Sequence, residues 1–429
     1  MKSTITASLA MLLAAGSLQA QDVDLKTELA KQSARLAELE KKAASKSESA
    51  TGLAFPEYLT PYVLIDLTLL SKSNVTADGK SKVDMGEPFF SGNRWGLKGA
   101  IKTNVDGLSV IYKLESEYFL FDGEQGKANG LFNRDAWIGI SGKLGKLTFG
   151  RQNTLARDFA VIYCDPFNHA EVNYDEGGWT NNSNFKSLVY YAGADSISAV
   201  NGGPAQTRQD KGIVWKYAPA DGFCYGASYN LNYETGNNTR NSTASVATGF
   251  NAPTWHMSAF YTTANNTGAT NATVVPFSQT SMSLGGNVNL TKALKINAGY
   301  FHYTSDQNPG KPTRTDNAYT VSGSYQFSPE WAGFLGYQVI KVDSAALGLN
   351  AAGVYTIPNA FAYPSTSGTA AYVNGGKNVA YAAFRNYLRK GIEFYGVFTY
   401  MKLTDSFKLS TGVPKDSQTE LGLGLRMSL

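Results

Sequence analysis

The chain has 429 residues, of which 43% are hydrophobic and only 17% charged, with a formal charge of +4. A balance this mild, with Lys and Arg scattered along the chain, excludes a nucleic-acid partner. Beyond a short N-terminal run, no stretch approaches about eighteen continuous apolar residues, which excludes a transmembrane helix.

Lys2 precedes an apolar run over residues 5–13, and Leu18, Gln19 and Ala20 offer a cleavage site before Gln21, so residues 1–20 read as a secretory signal peptide. Residues 21–46 shift to Ala, Glu, Lys and Leu, without Gly or Pro. Within them Leu25, Leu29, Gln32, Leu36 and Leu39 form a heptad seam with one polar position, the mark of a short α-helical coiled coil. A single helix of this size is marginal in water, so the seam predicts association. A Ser- and Ala-rich linker over residues 47–57 leads into the body, residues 58–429.

In the body the hydropathy period is two. Met282, Leu284, Val288 and Leu290 alternate with Ser281, Ser283, Asn287 and Asn289. Tyr319, Val321, Tyr325 and Phe327 alternate with Thr320, Ser322, Ser324 and Gln326, and Leu421, Leu423, Leu425 and Met427 with Glu420, Gly422, Arg426 and Ser428. One apolar and one polar face fits an all-β fold, either a soluble sandwich or a transmembrane antiparallel β-barrel. The leader, the low charge density and the aromatics near strand ends favour the barrel. Short turns, such as residues 104–107, 291–293 and 328–330, alternate with long segments rich in Gly, Asn, Ser and Thr. That rhythm gives about sixteen strands, with about eighteen as the alternative count. Residues 183–191 also have strand character, but counting them breaks the up-down parity, and they are assigned to a long loop.

Residues 132–153, FNRDAWIGISGKLGKLTFGRQN, read as a hairpin about Leu144, Gly145 and Lys146. Leu147, Phe149 and Arg151 share one face of its second strand, and Thr148 and Gly150 the other. A polar, acidic segment over residues 153–210 follows, too long for an ordinary connection. This hairpin with its F-G-R-Q strand end, the D-P-F at residues 165–167 and the N-R-W-G-L-K-G at residues 93–99 together resemble the general porin family of Gram-negative outer membranes. The resemblance implies a homotrimer of water-filled barrels in outer-membrane lipid, passing small hydrophilic solutes and ions, with the N-terminal helix in the periplasm. It also implies that the segment over residues 153–210 folds into the lumen as a constriction loop, its acids facing basic residues on the wall.

On that reading the loop acids are Asp158, Asp165, Glu171, Asp175 and Glu176, against Arg157, Lys186 and Arg208. By alternation Arg94, Lys98 and Lys102 share the polar face of the second strand, and Lys113, Glu115 and Glu117 that of the third. Arg134 corresponds to the family's next wall arginine. The family's basic position on the first strand is taken by Leu64 and Ile65, and Asn181 and Asn182 stand near its further arginine, so the basic ladder is thinner and the ion preference is open. Arg151, outward with Leu147 and Phe149, falls where the family forms its subunit interface. Cys224 shares the lumen face with Gly226, Ser228 and Asn230, and Cys164 lies in the long loop. A disulfide pinning that loop and two thiols on different walls both stand open. The chain ends in Leu429, where the family places an aromatic residue.

The three histidines, His169, His256 and His302, have no metal-ligand spacing with each other, with Cys or with carboxylates, and no nucleophile or phosphate-loop motif occurs. No metal, cofactor or enzyme activity is therefore expected. Two other readings compete with the channel: a tether whose coiled coil binds peptidoglycan, and a catalytic barrel.

Overall fold

A strand with one apolar and one polar face can cross a bilayer only when both of its edges are paired, because no water is present to satisfy the amides. The computed structural model describes residues 56, 58–86, 89–90, 92–126, 130–164, 167, 208–231, 242–266, 277–307, 310–358, 370–411 and 415–429. The leader, the heptad segment, most of the linker and the strand-like residues 183–191 lie outside the described residues.

In chain order the elements are β1 (Thr60–Lys72), β2 (Lys82–Gly86), β3 (Arg94–Lys102), β4 (Ser109–Glu117), β5 (Asp135–Gly142), β6 (Gly145–Asn153), α1 (Leu155–Cys164), β7 (Arg208–Tyr217), β8 (Gly222–Asn230) and β9 (Thr243–Asn251). There follow β10 (Trp255–Asn266), β11 (Phe277–Asn289), β12 (Leu294–Ser305), β13 (Arg314–Gln326), β14 (Trp331–Leu347), β15 (Ala371–Arg389), β16 (Ile392–Asp405) and β17 (Ser417–Ser428). From β3 to β17 each strand is antiparallel to the next, and β17 closes on β1 with Leu64 opposite Ser428 and Lys72 opposite Glu420. On its other side β1 pairs first with β3 and then, further along, with β2. The 17 strand segments therefore fill sixteen wall positions, β2 and β3 being two halves of one interrupted strand. The alternative of about eighteen strands does not hold.

Side chains sort as the alternation requires. On β11 Ser281, Ser283 and Asn287 are buried on the inner face while Met282 and Leu284 are exposed on the outer one. On β13 Thr320, Ser322 and Ser324 point in, and Tyr319, Val321 and Tyr325 out; on β17 Leu421, Leu423 and Leu425 stand outside and Glu420 inside. Rings gather on the outer face near the short turns, as in Phe223 with Phe250 at 4.9 Å, Phe250 with Trp255 at 5.2 Å and Trp331 with Phe384 at 5.9 Å, the belt expected at a membrane surface. The turn between β5 and β6 needs glycine: Gly145 has φ +93°, and a Cβ there would meet the Lys216 carbonyl oxygen at 2.1 Å.

The interruption between Gly86 and Arg94 turns two rings inward. The Phe89 amide donates to Thr68 Oγ1 at 3.1 Å and the Phe90 amide to Asp66 Oδ2 at 3.2 Å. Asn93 Oδ1 accepts from the Asp66 amide at 2.5 Å. Side chains of β1 and of the break thus replace the missing ladder. The inward acid of β1 is Asp66, a position that the comparison of Leu64 and Ile65 with a basic residue overlooked.

Candidate functional site

The ladder brings the wall charges together. Across β3 and β4, Lys98 pairs with Lys113 and Arg94 with Glu117; across β4 and β5, Glu115 stands opposite Asp135. Arg94 and Lys98 on β3, and Lys113, Glu115 and Glu117 on β4, are separated by even numbers of residues in an unbroken register, so these charges share the inner face. They form a nest around Glu115. Its carboxylate lies 2.5 Å from Arg134 Nε, 3.1 Å from Lys113 Nζ, 3.4 Å from an Arg208 nitrogen and 3.7 Å from Arg94 Nε. The Tyr62 hydroxyl donates to it at 2.9 Å. Lys113 also reaches Asp135 at 2.7 Å, Arg134 reaches Glu117 at 2.6 Å, and Arg208 Nε reaches Asp135 at 3.4 Å. Glu115 is only 1% exposed. A carboxylate stripped of water to that degree is held by the cations about it. Lys98 projects past the nest, its ammonium 5.6 Å from the Tyr62 ring centre.

Alternation located Arg94, Lys98, Lys113, Glu115 and Glu117 on this face, and the hairpin motif located Arg134. It missed Asp135 and Tyr62. Parity was the available signal for Asp135, the first residue of β5. Tyr62 becomes visible only through the register that sets it opposite Gly96, where a Cβ would stand 2.5 Å from the phenol oxygen.

Past Asn153 the chain turns into the barrel. Thr154 Oγ1 accepts from the Arg157 amide at 3.2 Å and caps α1, and Asp158 sits in the first turn, where a negative charge suits the helix dipole. The segment expected to be a polar loop thus begins as a helix of 10 residues. Leu155, Ala156, Phe159, Ala160 and Tyr163 recur at helical spacing and are all buried. Asp158 is buried as well: Lys216 Nζ lies 2.8 Å from it and Asn153 Nδ2 donates to it at 2.9 Å. It therefore ties α1 to a basic residue of the wall, Lys216 on β7. Burial, and next the Arg208 guanidinium, push Arg157 below its ordinary value. Asp165, Glu171, Asp175 and Glu176 lie outside the described residues.

Farther on, Phe167 is enclosed by rings on the other side of the lumen: Phe90 at 4.8 Å, Phe334 at 5.3 Å, Phe89 at 5.9 Å and Tyr381 at 6.0 Å. Its carbonyl accepts from Arg385 at 2.5 Å, and Arg385 pairs with Glu393, which Arg426 also meets at 3.1 Å.

Cys164 and Cys224 are both buried, and no disulfide joins them. The direction of α1 is the reason. Leu155, at its start, lies against Gly226 on β8, whereas Tyr163, in its last turn, lies over Gly285 on β11 and Gly299 on β12. Three strand spacings, about 14 Å, separate β8 from β11. That exceeds the roughly 7 Å between Cα atoms that a disulfide tolerates. Arg151 faces outward, and its charge is met within the chain: Nε donates to the Asn133 carbonyl at 2.7 Å and the guanidinium pairs with Asp210. Among the described residues no group of three His, Cys, Asp or Glu side chains is placed to hold a metal.

A model of the Gram-negative porin family matches residues 6–406. The chain belongs to that family. Among relatives of this porin, an outer membrane porin protein of Bordetella pertussis is 40% identical over 79 residues, 18% of this chain and 20% of that one, so the match spans about a fifth of the relative's length. The anion-selective porin from Comamonas acidovorans superposes with a TM-score of 0.63 at 18% identity, covering 86% of this chain and 99% of that one. OmpT, an outer membrane protein of Vibrio cholerae, superposes with a TM-score of 0.56 at 14% identity, covering 86% and 97%. At these identities the likeness to solved structures is one of fold.

Proposed function

We propose that this porin is a passive diffusion channel of the Gram-negative outer membrane, a water-filled barrel that passes small hydrophilic solutes and ions and works as a homotrimer. The observation that carries the reading is the sorting of the wall: serine, threonine, asparagine and paired charges inside a closed barrel, apolar side chains outside. Water then has a polar path, and α1 and the charge nest narrow and polarise it. Such a channel needs no catalytic group.

In the nest around Glu115 and at the start of α1, the described cations Arg94, Lys98, Lys113, Arg134, Arg157, Arg208 and Lys216 outnumber the acids Glu115, Glu117, Asp135 and Asp158. That excess favours small anions, the preference named for the Comamonas acidovorans porin. Trimerisation is supported by the outward Arg151–Asp210 pair, costly against lipid and not against protein, and by the trimer form described for OmpT of Vibrio cholerae. The heptad segment over residues 21–46 would add to it once three barrels raise the local concentration of the helices. Single cysteines at Leu29 or Leu36 then cross-link between subunits more efficiently than one at Arg35.

The test is the full chain in planar bilayers. Large stepwise openings, with a reversal potential on the anion side in a KCl gradient, are expected. Absence of openings favours a tether or a catalytic barrel; a reversal on the cation side removes the anion preference alone.

A further inference from the structure

The seat of α1 is made of missing side chains. On the inner face of β11 and β12, Gly285 and Gly299 are directly opposite one another in the ladder. The Tyr163 ring lies across both. A Cβ on Gly285 would stand 2.4 Å from Tyr163 Cδ2, and one on Gly299 2.5 Å from the same atom, far inside van der Waals contact. The ring is buried, and its hydroxyl donates to Ser283 Oγ at 2.5 Å, since that serine's own proton goes to the Tyr300 carbonyl at 2.8 Å. Alongside, the Ser258 hydroxyl donates to the Phe159 carbonyl at 2.6 Å. Glycine weakens a strand and packs nothing, so two of them facing each other mark a place where something must approach the backbone closely.

We propose that Gly285 and Gly299, through Tyr163, set the bore of the channel; the proposal rests on the diffusion-channel reading above. The bare patch lets α1 lie one ring's thickness from the wall. Any side chain there drives the helix toward the barrel axis. Restoring ordinary contact at 3.4 Å over a methyl group on Gly285 lifts the ring by about 1 Å. The free cross-section shrinks accordingly, while the charged wall on β3 to β5 is untouched.

The experiment uses Gly285→Ala and Gly299→Ala in the full chain, with two readouts. Single-channel conductance should fall roughly 1.5-fold, as free cross-section governs passage through a constriction several ångström wide. Adding Tyr163→Ala to Gly285→Ala should restore it to the wild-type level or above. The second readout is Cys164, buried beside Tyr163 at the end of α1. In a Cys224→Ser background it should react faster with a thiol reagent in folded Gly285→Ala and Tyr163→Ala barrels than in the unaltered one. Gly323→Ala, on the outer face of β13 where a Cβ would meet Ile296 Cδ1 at 3.2 Å, should change neither readout. Wild-type conductance and labelling in both glycine variants would overturn the proposal, as would a lowered conductance that Tyr163→Ala does not restore. Should the glycine variants fail to form heat-resistant barrels, Tyr163→Ala alone decides, and unchanged Cys164 labelling overturns the seat. An unaltered barrel without stepwise openings strikes the channel reading itself, and the labelling pattern tells that failure apart from failure of the seat.

Discussion

Two stretches of the inner wall hold the contents of this barrel by opposite means. Along β3, β4 and β5, with Arg208 from β7, charges satisfy one another around Glu115, and the ladder alone places them. From β8 to β16 the wall holds an incoming segment, by glycines that leave room for Leu155 and Tyr163 and by Phe334, Tyr381 and Arg385, which close on Phe167. The first arrangement is almost wholly strand against strand. The second exists only when a segment distant in sequence has arrived, as the Tyr163–Ser283 bond, spanning 120 positions, illustrates. Electrostatic character and bore are therefore written on different sides of the same lumen, and substitutions should separate them.

The largest expected effect comes from breaking the charged side. Glu115→Ala leaves Lys113, Arg134, Arg94 and Arg208 facing one another with their central partner gone, a loss of about 3–5 kcal/mol for a buried pair. The unfolding midpoint in denaturant should drop and the reversal potential should move further to the anion side. An unchanged midpoint would mean that the nest is not held by charge balance. Arg385→Met tests the other side and should cost less, about 1–3 kcal/mol, because Glu393 keeps Arg426. Here conductance should become noisier as Phe167 loses its clasp, with the ion preference unmoved; a shifted reversal potential would merge the two sides that the comparison separates.

Arg151→Ala lies outside both and should leave conductance intact while lowering the temperature at which the trimer dissociates on unheated gels. A trimer band unchanged at every temperature would count against an interface there. Smallest of all is Cys224→Ser, for which no change in stability or conductance is expected. Alkylation of the unreduced, denatured protein should label both Cys164 and Cys224, and protection of either would reinstate a bond.

Much of the charged side was legible in the chain itself. Strand alternation needs only local order, so Arg94, Lys98, Lys113, Glu115 and Glu117 could be put on one face without knowing any partner. The inward orientation of Cys224 and the outward one of Arg151 followed from the same parity. The seat was not legible, because its signal is an absence: Gly285 and Gly299 read as ordinary weak points of two strands until the ladder sets them opposite one another. The helical spacing in LARDFAVIYC is present but short, and the polar, acidic character of the longer segment around it masks it. For Asp158, composition identifies a loop acid but not its partner, the lysine on β7 that it reaches.

The break in the second wall strand has a consequence for assembly. Phe90 packs on Tyr395 with ring centres 4.2 Å apart, and the Tyr395 hydroxyl donates to Asp66 Oδ1 at 2.5 Å and meets Thr68 Oγ1 at 2.6 Å. Asp66 and Tyr395 are 329 positions apart, near opposite ends of the barrel's chain. Phe90 is therefore fully lodged only once β16 and β17 have joined β1. The ring of Phe90 thus registers closure of the barrel at one corner, where the first strand and the last ones meet.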